Sequence, residues 1–297
     1  MLKVMTEASG GLTSGYIIKA IRQAGFKAVA SDIDDGIAGR YLADEFVRMP
    51  RFNEPNVWSI MLDLLDRASI DVVLPSFDET LLGWAERKKQ LENKGKHVII
   101  SEPKTIEIFQ DKWNTYNFFV KHGIPTPATS LEQRYSVIKP RMGRGGKGIL
   151  FTAQPVSMDG MIAQEPVKGE EYTIDVLCDV QSNPVYIIPR KRWSVRDGKS
   201  TGGMVVYHRE MIEWVEKICS YVPFIGPINV QCFLCSDGSI QFIEINPRLA
   251  GGMALGFAAS DNWIAAIVNQ VVYGNPIDRK PIQYGLKMFR YYDEIFV

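Results

Sequence analysis

The chain has 297 residues, enough for one compact enzyme of two or three lobes. Its 34 acidic and 34 basic residues cancel, so no global field draws it to nucleic acid or a membrane surface, and neither a signal peptide nor a membrane-spanning apolar run is evident. The four cysteines and three histidines are too dispersed for a zinc or redox site, and Cys232-Phe233-Leu234-Cys235 has no second pair, which points to reduced cysteines in a cytoplasmic protein.

Residues 2–5 read as a first strand, 7–11 as a loop, 16–24 as a helix stopped by Gly25, and 26–30 as a second strand ending at Ser31-Asp32. A β-α-β unit with a glycine turn invites a dinucleotide site. The fingerprint needs a third glycine where Leu12 stands, however, and Asp32 reads better as a strand-end residue than as a ribose acid. A helix over 58–67, a buried strand over 71–74, a helix opened by Asp78-Glu79 and a strand over 98–100 continue the alternation. This pattern predicts a parallel sheet whose substrate side is the carboxyl ends of its strands, near residues 7–11 and 75–79.

The pattern changes near Glu102-Pro103. A short helix over 105–110 and a longer one over 111–120 close at Gly123 and Pro125-Thr126-Pro127. Residues 136–139 form a strand ending in Lys139-Pro140. The run Gly143-Arg144-Gly145-Gly146-Lys147-Gly148 then leads into a second apolar strand, 149–151. A Rossmann turn or Walker loop opens a helix, whereas this run joins two strands. Such a hairpin can fold over phosphates, its N–H groups unobstructed by Cβ atoms; a plain flexible hairpin is the alternative. A strand over 161–167 runs into polar Lys168-Gly169-Glu170, and a strand resumes over 172–177.

Arg190, Lys191, Arg192 and Arg196 form a basic cluster around Trp193. That mixture can serve nucleic acid, but balanced overall charge favours neutralising phosphate and carboxylate oxygens. After a helix over 209–220 comes the most informative stretch: residues 229–235 and 240–248, two strands around a turn at Asp237-Gly238. A two-residue turn there pairs Gln231 with Glu244, and alternation puts Glu244 and Asn246 on one face. Three oxygen-bearing side chains converge. Glu244 is costly to bury unpaired, and an oxygen-only set suits Mg²⁺ or Mn²⁺ shared with substrate phosphates; a solvated strand residue is the plain alternative. Residues 249–252 form a small-residue loop. Residues 261–273 form an amphipathic helix with Trp263, Ile264, Ile267, Val268 and Val271 as its buried stripe, and a strand falls within 285–297.

Asn229-Val230-Gln231 followed by Ile243-Glu244-Ile245-Asn246-Pro247-Arg248 resembles the ATP-grasp superfamily, in its carbamoyl-phosphate-synthase-like branch. Asp111-Lys112 ahead of a helix, with Gly123-Ile124-Pro125-Thr126-Pro127 behind it, is similar to the family's linker, and the resemblance extends over most of the chain. It implies a mixed α/β and α+β chain with three parts. These are a Rossmann-like pre-ATP-grasp domain over 1–103, linker helices and a small lobe with a glycine-rich lid over 104–178, and a C-terminal lobe with the metal site over 179–297. It implies ATP and Mg²⁺ (or Mn²⁺) as cofactors. Gln231, Glu244 and Asn246 would hold metal, Gln231 standing where many members have Glu. Lys112, Lys139, Gly145, Gly146 and Lys147 would hold the triphosphate. Gln164, Glu165 and Val167 would meet the adenine edge through their backbone, and Glu171 the ribose, with Glu170 as the shifted alternative. Arg248 and Lys139 would serve catalysis. The implied activity is an ADP-forming ligase that activates a carboxylate as an acyl phosphate for attack by an amine or similar nucleophile. A small-molecule kinase and a non-catalytic ATP-binding partner protein are the alternatives. The implied partners are ATP and small carboxylate and amine substrates, with no nucleic acid and no membrane; a homodimer is left open. Carbamoyl phosphate synthase itself is not expected, because its large subunit carries two such units.

Overall fold

The computed structural model describes residues 1–297 apart from 12–13, 197–198 and 292, with the side chains of 194–200 also outside the description; Leu12 of the glycine turn and the side chain of Arg196 therefore lie outside the described residues. The first part is a five-stranded parallel sheet of β1 (Lys3–Thr6), β2 (Lys27–Asp32), β3 (Glu45–Arg48), β4 (Val72–Leu74) and β5 (His97–Val98), in the order β3-β2-β1-β4-β5. Its helices are α1 (Ser14–Gln23), α2 (Ala38–Leu42), α3 (Val57–Arg67) and α4 (Leu81–Glu92), followed by the linker pair α5 (Pro103–Gln110) and α6 (Lys112–Lys121). The helix α2 and strand β3 were not expected; β3 is a half-buried edge strand whose Glu-Phe-Val-Arg sequence carries little alternation. The strand order reverses on either side of β1, which opens a crevice at the carboxyl ends of β1 and β4.

A small sheet follows, of β6 (Thr129–Ser130), β7 (Val137–Pro140), β8 (Leu150–Phe151) and β9 (Met161–Gln164), ordered β6-β9-β7-β8. The glycine run joins β7 to the antiparallel β8. The largest sheet comprises β10 (Gly169–Cys178), β11 (Pro184–Arg196), β12 (Lys199–Val205), β13 (Gly226–Cys235), β14 (Ile240–Asn246) and β15 (Lys287–Phe289), ordered β14-β13-β10-β11-β12-β15, with α7 (Arg209–Tyr221), α8 (Ala254–Ala259) and α9 (Trp263–Tyr273).

Strict alternation in β10 gives this sheet two characters. Tyr172, Ile174 and Val176 face a core shared with Met211, Val215 and Ile218 of α7, while Glu171, Thr173 and Asp175 face the other way. Toward its far end the polar face turns apolar: Leu177, Tyr186 and Ile188 pack with Trp263, Ile264 and Ile267 of α9 and with Ile17, Ile18 and Ile21 of α1. One core therefore joins the parallel sheet to the large antiparallel one and fixes the polar face opposite the crevice.

The basic cluster had been assigned to no strand or helix. It lies instead on β11, where alternation divides it: Arg190 and Arg192 line the crevice, and Lys191 pairs with Glu170 on the other face.

Candidate active site

The β13–β14 hairpin brings Gln231 opposite Glu244 and Asn229 opposite Asn246. It does so differently from the two-residue turn expected. The loop is Ser236-Asp237-Gly238, one residue longer, with Cys235 N donating to Ser239 O at 2.8 Å and Gly238 at φ +86. That longer loop pairs Leu234 with Ile240 and Cys232 with Phe242, a register that would set Gln231 against Ile243 and turn Glu244 to the apolar core. A bulge at Ile243 absorbs the offset and restores Glu244 to the crevice face.

Glu244 does not stand alone. Lys112, the first residue of α6, brings its Nζ to 3.4 Å from Glu244 Oε1 and donates to Gly143 O in the lid at 2.9 Å. Asp111 caps α6 by accepting from Trp113 N at 2.8 Å, and also receives the Arg141 guanidinium from the base of the lid. Lys139, at the end of β7, is 7% exposed, and its Nζ donates to Gln164 Oε1 at 2.8 Å. Burial pushes its pKa down to about 8, opposed by the nearby Glu244 and assisted by Lys112. Two lysines and the glycine run thus converge on Glu244.

Arg248 is buried against the turn that follows β4. It donates through Nε and Nη2 to the two Asp78 oxygens at 3.0 and 2.9 Å, through Nη2 to Asn246 Oδ1 at 3.2 Å, and through Nη1 to Leu249 O at 3.0 Å. Burial works against its charge, but Asp78, and beyond it Glu244, more than offset that and raise its pKa. The lid reaches the same turn: Arg144 stacks 4.2 Å over the Phe77 ring, pairs with Glu79 and lies 3.7 Å from Asp78 Oδ2. Deeper on the sheet, Arg190 is 3% exposed and held by Asp175 at 2.7 and 3.2 Å, Asn229 donating to the same carboxylate at 2.8 Å. A Cβ at Gly252 would fall 2.1 Å from this guanidinium, so the loop after Arg248 has to pass here as glycine.

Between the parallel sheet and this polar face lies a cavity of ≈ 720 Å³, lined by Glu244, Asn246, Gln231, Arg248, Arg190 and Gly145 among others. It also contains Glu7, at the carboxyl end of β1, a residue to which sequence reasoning gave no role. The strand-end rule had placed residues 7–11 on the substrate side, but it did not single out Glu7 among them.

The other expected residues are placed as follows. Gln164 has its main chain paired with Thr129 and Val137, and its side chain links Lys139 to Thr129 Oγ1. Glu165 N donates to Ala128 O at 2.8 Å; among the described residues neither Glu165 O nor Val167 N–H has a protein partner. Glu171, rather than Glu170, faces the crevice side, where Arg192 pairs with it. Gly146 and Lys147 sit on the exposed lid and, unlike Arg144 and Gly145, do not line the cavity.

The three proposed metal ligands are one carboxylate and two amides, and among the described residues no cluster of three His, Cys, Asp or Glu side chains offers an alternative cage. Gln231 makes no side-chain hydrogen bond to the protein among the described residues, and Glu244 has only the 3.4 Å lysine contact. This donor set fits a hard cation that takes its remaining oxygens from phosphate.

Comparisons with known proteins bear on the fold and the family. Residues 109–252 match the ATP-grasp domain, and residues 8–99 match the PylC-like N-terminal domain. The carbamoyl phosphate synthase large chain of Pseudomonas aeruginosa is 22% identical over 88% of this chain and 28% of that protein, so the chain spans under a third of the curated relatives it matches. The biotin carboxylase domain of Hydrogenobacter thermophilus 2-oxoglutarate carboxylase, solved with MgADP and bicarbonate, superposes with a TM-score of 0.73 at 17% identity, over 97% of this chain and 73% of that one. The L-amino acid ligase of Bacillus licheniformis gives 0.72 at 16% identity, over 92% and 74%.

Proposed function

Because the chain belongs to the ATP-grasp family, with a PylC-like domain ahead of its ATP-grasp domain, we propose that it is an ADP-forming ligase that joins a carboxylate to an amine. One observation carries the reading. Glu244, Asn246 and Gln231 share a face between two compartments, with the buried Lys139, the half-buried Lys112 and a lid on one side and a cavity walled by arginines on the other. A phosphoryl donor in the first compartment meets an acceptor in the second at Glu244–Arg248.

Each residue has a physical task. Lys139 and Lys112 place positive charge on the triphosphate, and the successive positive-φ residues Gly145 and Gly146 turn the lid so that its N–H groups can reach phosphate. Glu165 O and Val167 N–H supply the acceptor and donor that an adenine edge requires, and Glu171 is placed for the ribose. Gln231, Glu244 and Asn246 hold Mg²⁺, which neutralises charge on the phosphates when bound. Arg248 orients the acceptor carboxylate and the transferred phosphoryl group. Transfer of the γ-phosphoryl to the carboxylate yields an acyl phosphate; the amine nitrogen then bonds to the acyl carbon as the C–O bond to phosphate breaks. The liganded and solved relatives bear on this reading through an MgADP complex and an amino acid ligase. Among the described residues no helix is long and apolar enough to cross a membrane, and we place the chain, with its four free cysteines, in the cytoplasm.

The test is ADP release from ATP and Mg²⁺ with carboxylates and amines offered singly and in pairs. A ligase releases ADP in the presence of both. Equal release with one acceptor alone marks a kinase, and MgADP binding without turnover on any pair marks a binding protein.

A further inference from the structure

The cavity contains an acid that phosphoryl transfer does not use. Glu7 is 6% exposed at the end of β1. Its Oε1 accepts from Trp84 Nε1 at 2.8 Å, its Oε2 accepts from Ser76 N at 3.2 Å, and the Thr80 hydroxyl lies 3.0 Å from both oxygens. An indole N–H and a main-chain N–H can only donate, so both oxygens are prepared for negative charge. Among the described residues no lysine, arginine or histidine pairs with them. Buried carboxylates are normally compensated by a cation, and burial without one pushes the Glu7 pKa up to about 7.

The rest of the cavity indicates what the missing cation is. A hard metal ion needs several oxygen ligands, whereas the groups directly around Glu7 are mainly donors. An ammonium group needs far fewer acceptors. The same cavity is lined by Arg190, Arg192 and Arg248, each steadied by its own acid (Asp175, Glu171 and Asp78), and by the apolar side chains of Met49, Met61 and Phe77. Four acids line the cavity: Glu79 pairs with Arg144, Glu244 lies beside Lys112 and Asp32 is half-exposed, so among the described residues Glu7 is the lining acid that is both buried and without a cation. A buried acid sharing a cavity with several arginines suits a zwitterion. The same short turn serves both ends, since Ser76 and Thr80 hold Glu7 while Asp78 holds Arg248.

We propose that Glu7 docks the ammonium group of an amino-acid substrate; this rests on the ligase reading and assigns one substrate of it. A merely structural Glu7, tying β1 to α4, would be indifferent to the charge of the ligand.

The experiment uses the full chain saturated with MgADP. Each of the twenty L-amino acids is titrated by calorimetry beside its des-amino carboxylic acid. At least one amino acid is expected to bind, and at least tenfold more tightly than its des-amino counterpart. Glu7→Gln should lose that preference while binding MgADP within twofold of wild type, and Glu7→Asp should keep part of it. The proposal is overturned if no amino acid binds the MgADP-loaded wild type, if the des-amino acids bind equally well, or if Glu7→Gln keeps the preference. Should both variants fail to fold, the wild-type discrimination decides. Failure of MgADP itself to bind counts against the ligase reading instead.

Discussion

Glu244 and Glu7 are carboxylates in one cavity with opposite electrostatic surroundings. Glu244 has Lys112 at 3.4 Å and Lys139 within reach of its field, whereas Glu7 has only hydrogen bonds. Removing Glu244 should leave two lysines facing each other and take away the one carboxylate of the metal set. Glu244→Ala is expected to fold, as judged by its circular dichroism, yet to lose Mg²⁺-dependent ADP release by at least a hundredfold; wild-type turnover with Mg²⁺ as the sole metal would sink the assignment. Glu7 predicts a pH effect of definite sign. Its pKa is raised from 4.5 to about 7 by burial, so the folded state holds that proton more tightly than the unfolded chain. The resulting stability is fully present below about pH 4.5 and is lost as pH rises through 7, an amount of about 3 kcal/mol. Between pH 5 and pH 8 the wild type should therefore lose stability relative to Glu7→Gln in urea titrations; parallel profiles would show that Glu7 does not titrate with folding. The two acids also differ in how legible they were. Glu244 was marked by its neighbours in a patterned strand pair. The strand-end rule brought residues 7–11 and 75–79 to one side but could not single out Glu7, because its donors Ser76, Thr80 and Trp84 arrive from a part of the chain about seventy residues later.

At the scale of elements, alternation and turn chemistry gave the hairpin and the lid, but not their irregularities. The bulge at Ile243 has no signature in Ile-Glu-Ile; it is fixed by the conflict between a three-residue loop and a face that must present Glu244. The expected register was right at Gln231–Glu244 and off by one nearer the turn, two local differences that cancel. Strand β11 was missed because a run of basic residues carries no apolar alternation, while Arg190 and Arg192 are held by the acids Asp175 and Glu171 of the neighbouring β10. The lid shows what sequence could and could not supply. Its glycines were evident, and its anchors, Lys112 to Gly143 O and Arg144 to Phe77 and Glu79, are long-range. Four glycines within residues 143–148 leave little else to hold the loop, so Arg144→Ala should free it. Hydrogen exchange over residues 143–148 is expected to be faster in Arg144→Ala than in the wild type without nucleotide, and to slow in both when MgADP is added. Identical exchange in the two proteins would show that the Arg144 contacts do not restrain the lid, and no slowing with MgADP would argue against a lid function.

At the scale of the molecule, two kinds of contact join the parallel sheet to the antiparallel one. They share an apolar core through α1 and α9, and they share a charged contact, Asp78 with Arg248. The core was foreseeable from the buried stripe of α9, whereas the charged contact joins residues 170 positions apart and follows only from the fold. Asp78 is 15% exposed and Arg248 11%, so the pair is mostly withdrawn from water and its fork geometry sets where the guanidinium points. Asp78→Asn removes the charge but keeps the shape. Arg248 then loses one of its two strong acceptors and is drawn toward any other anion in the cavity. Nucleotide binding has no reason to weaken, since the displaced guanidinium gains attraction for phosphate. The chemical step should suffer, because a catalytic group misplaced by about 1 Å can cost on the order of a hundredfold. The expected outcome is MgADP affinity equal to or tighter than wild type by calorimetry, beside single-turnover ADP formation slowed tenfold or more at saturating substrates. Weakened MgADP binding with an unchanged rate would make Asp78 part of the nucleotide site. An unchanged rate and affinity would mean that Arg248 is positioned by Asn246 and Leu249 alone, and that the parallel sheet does not steer the transfer through this contact.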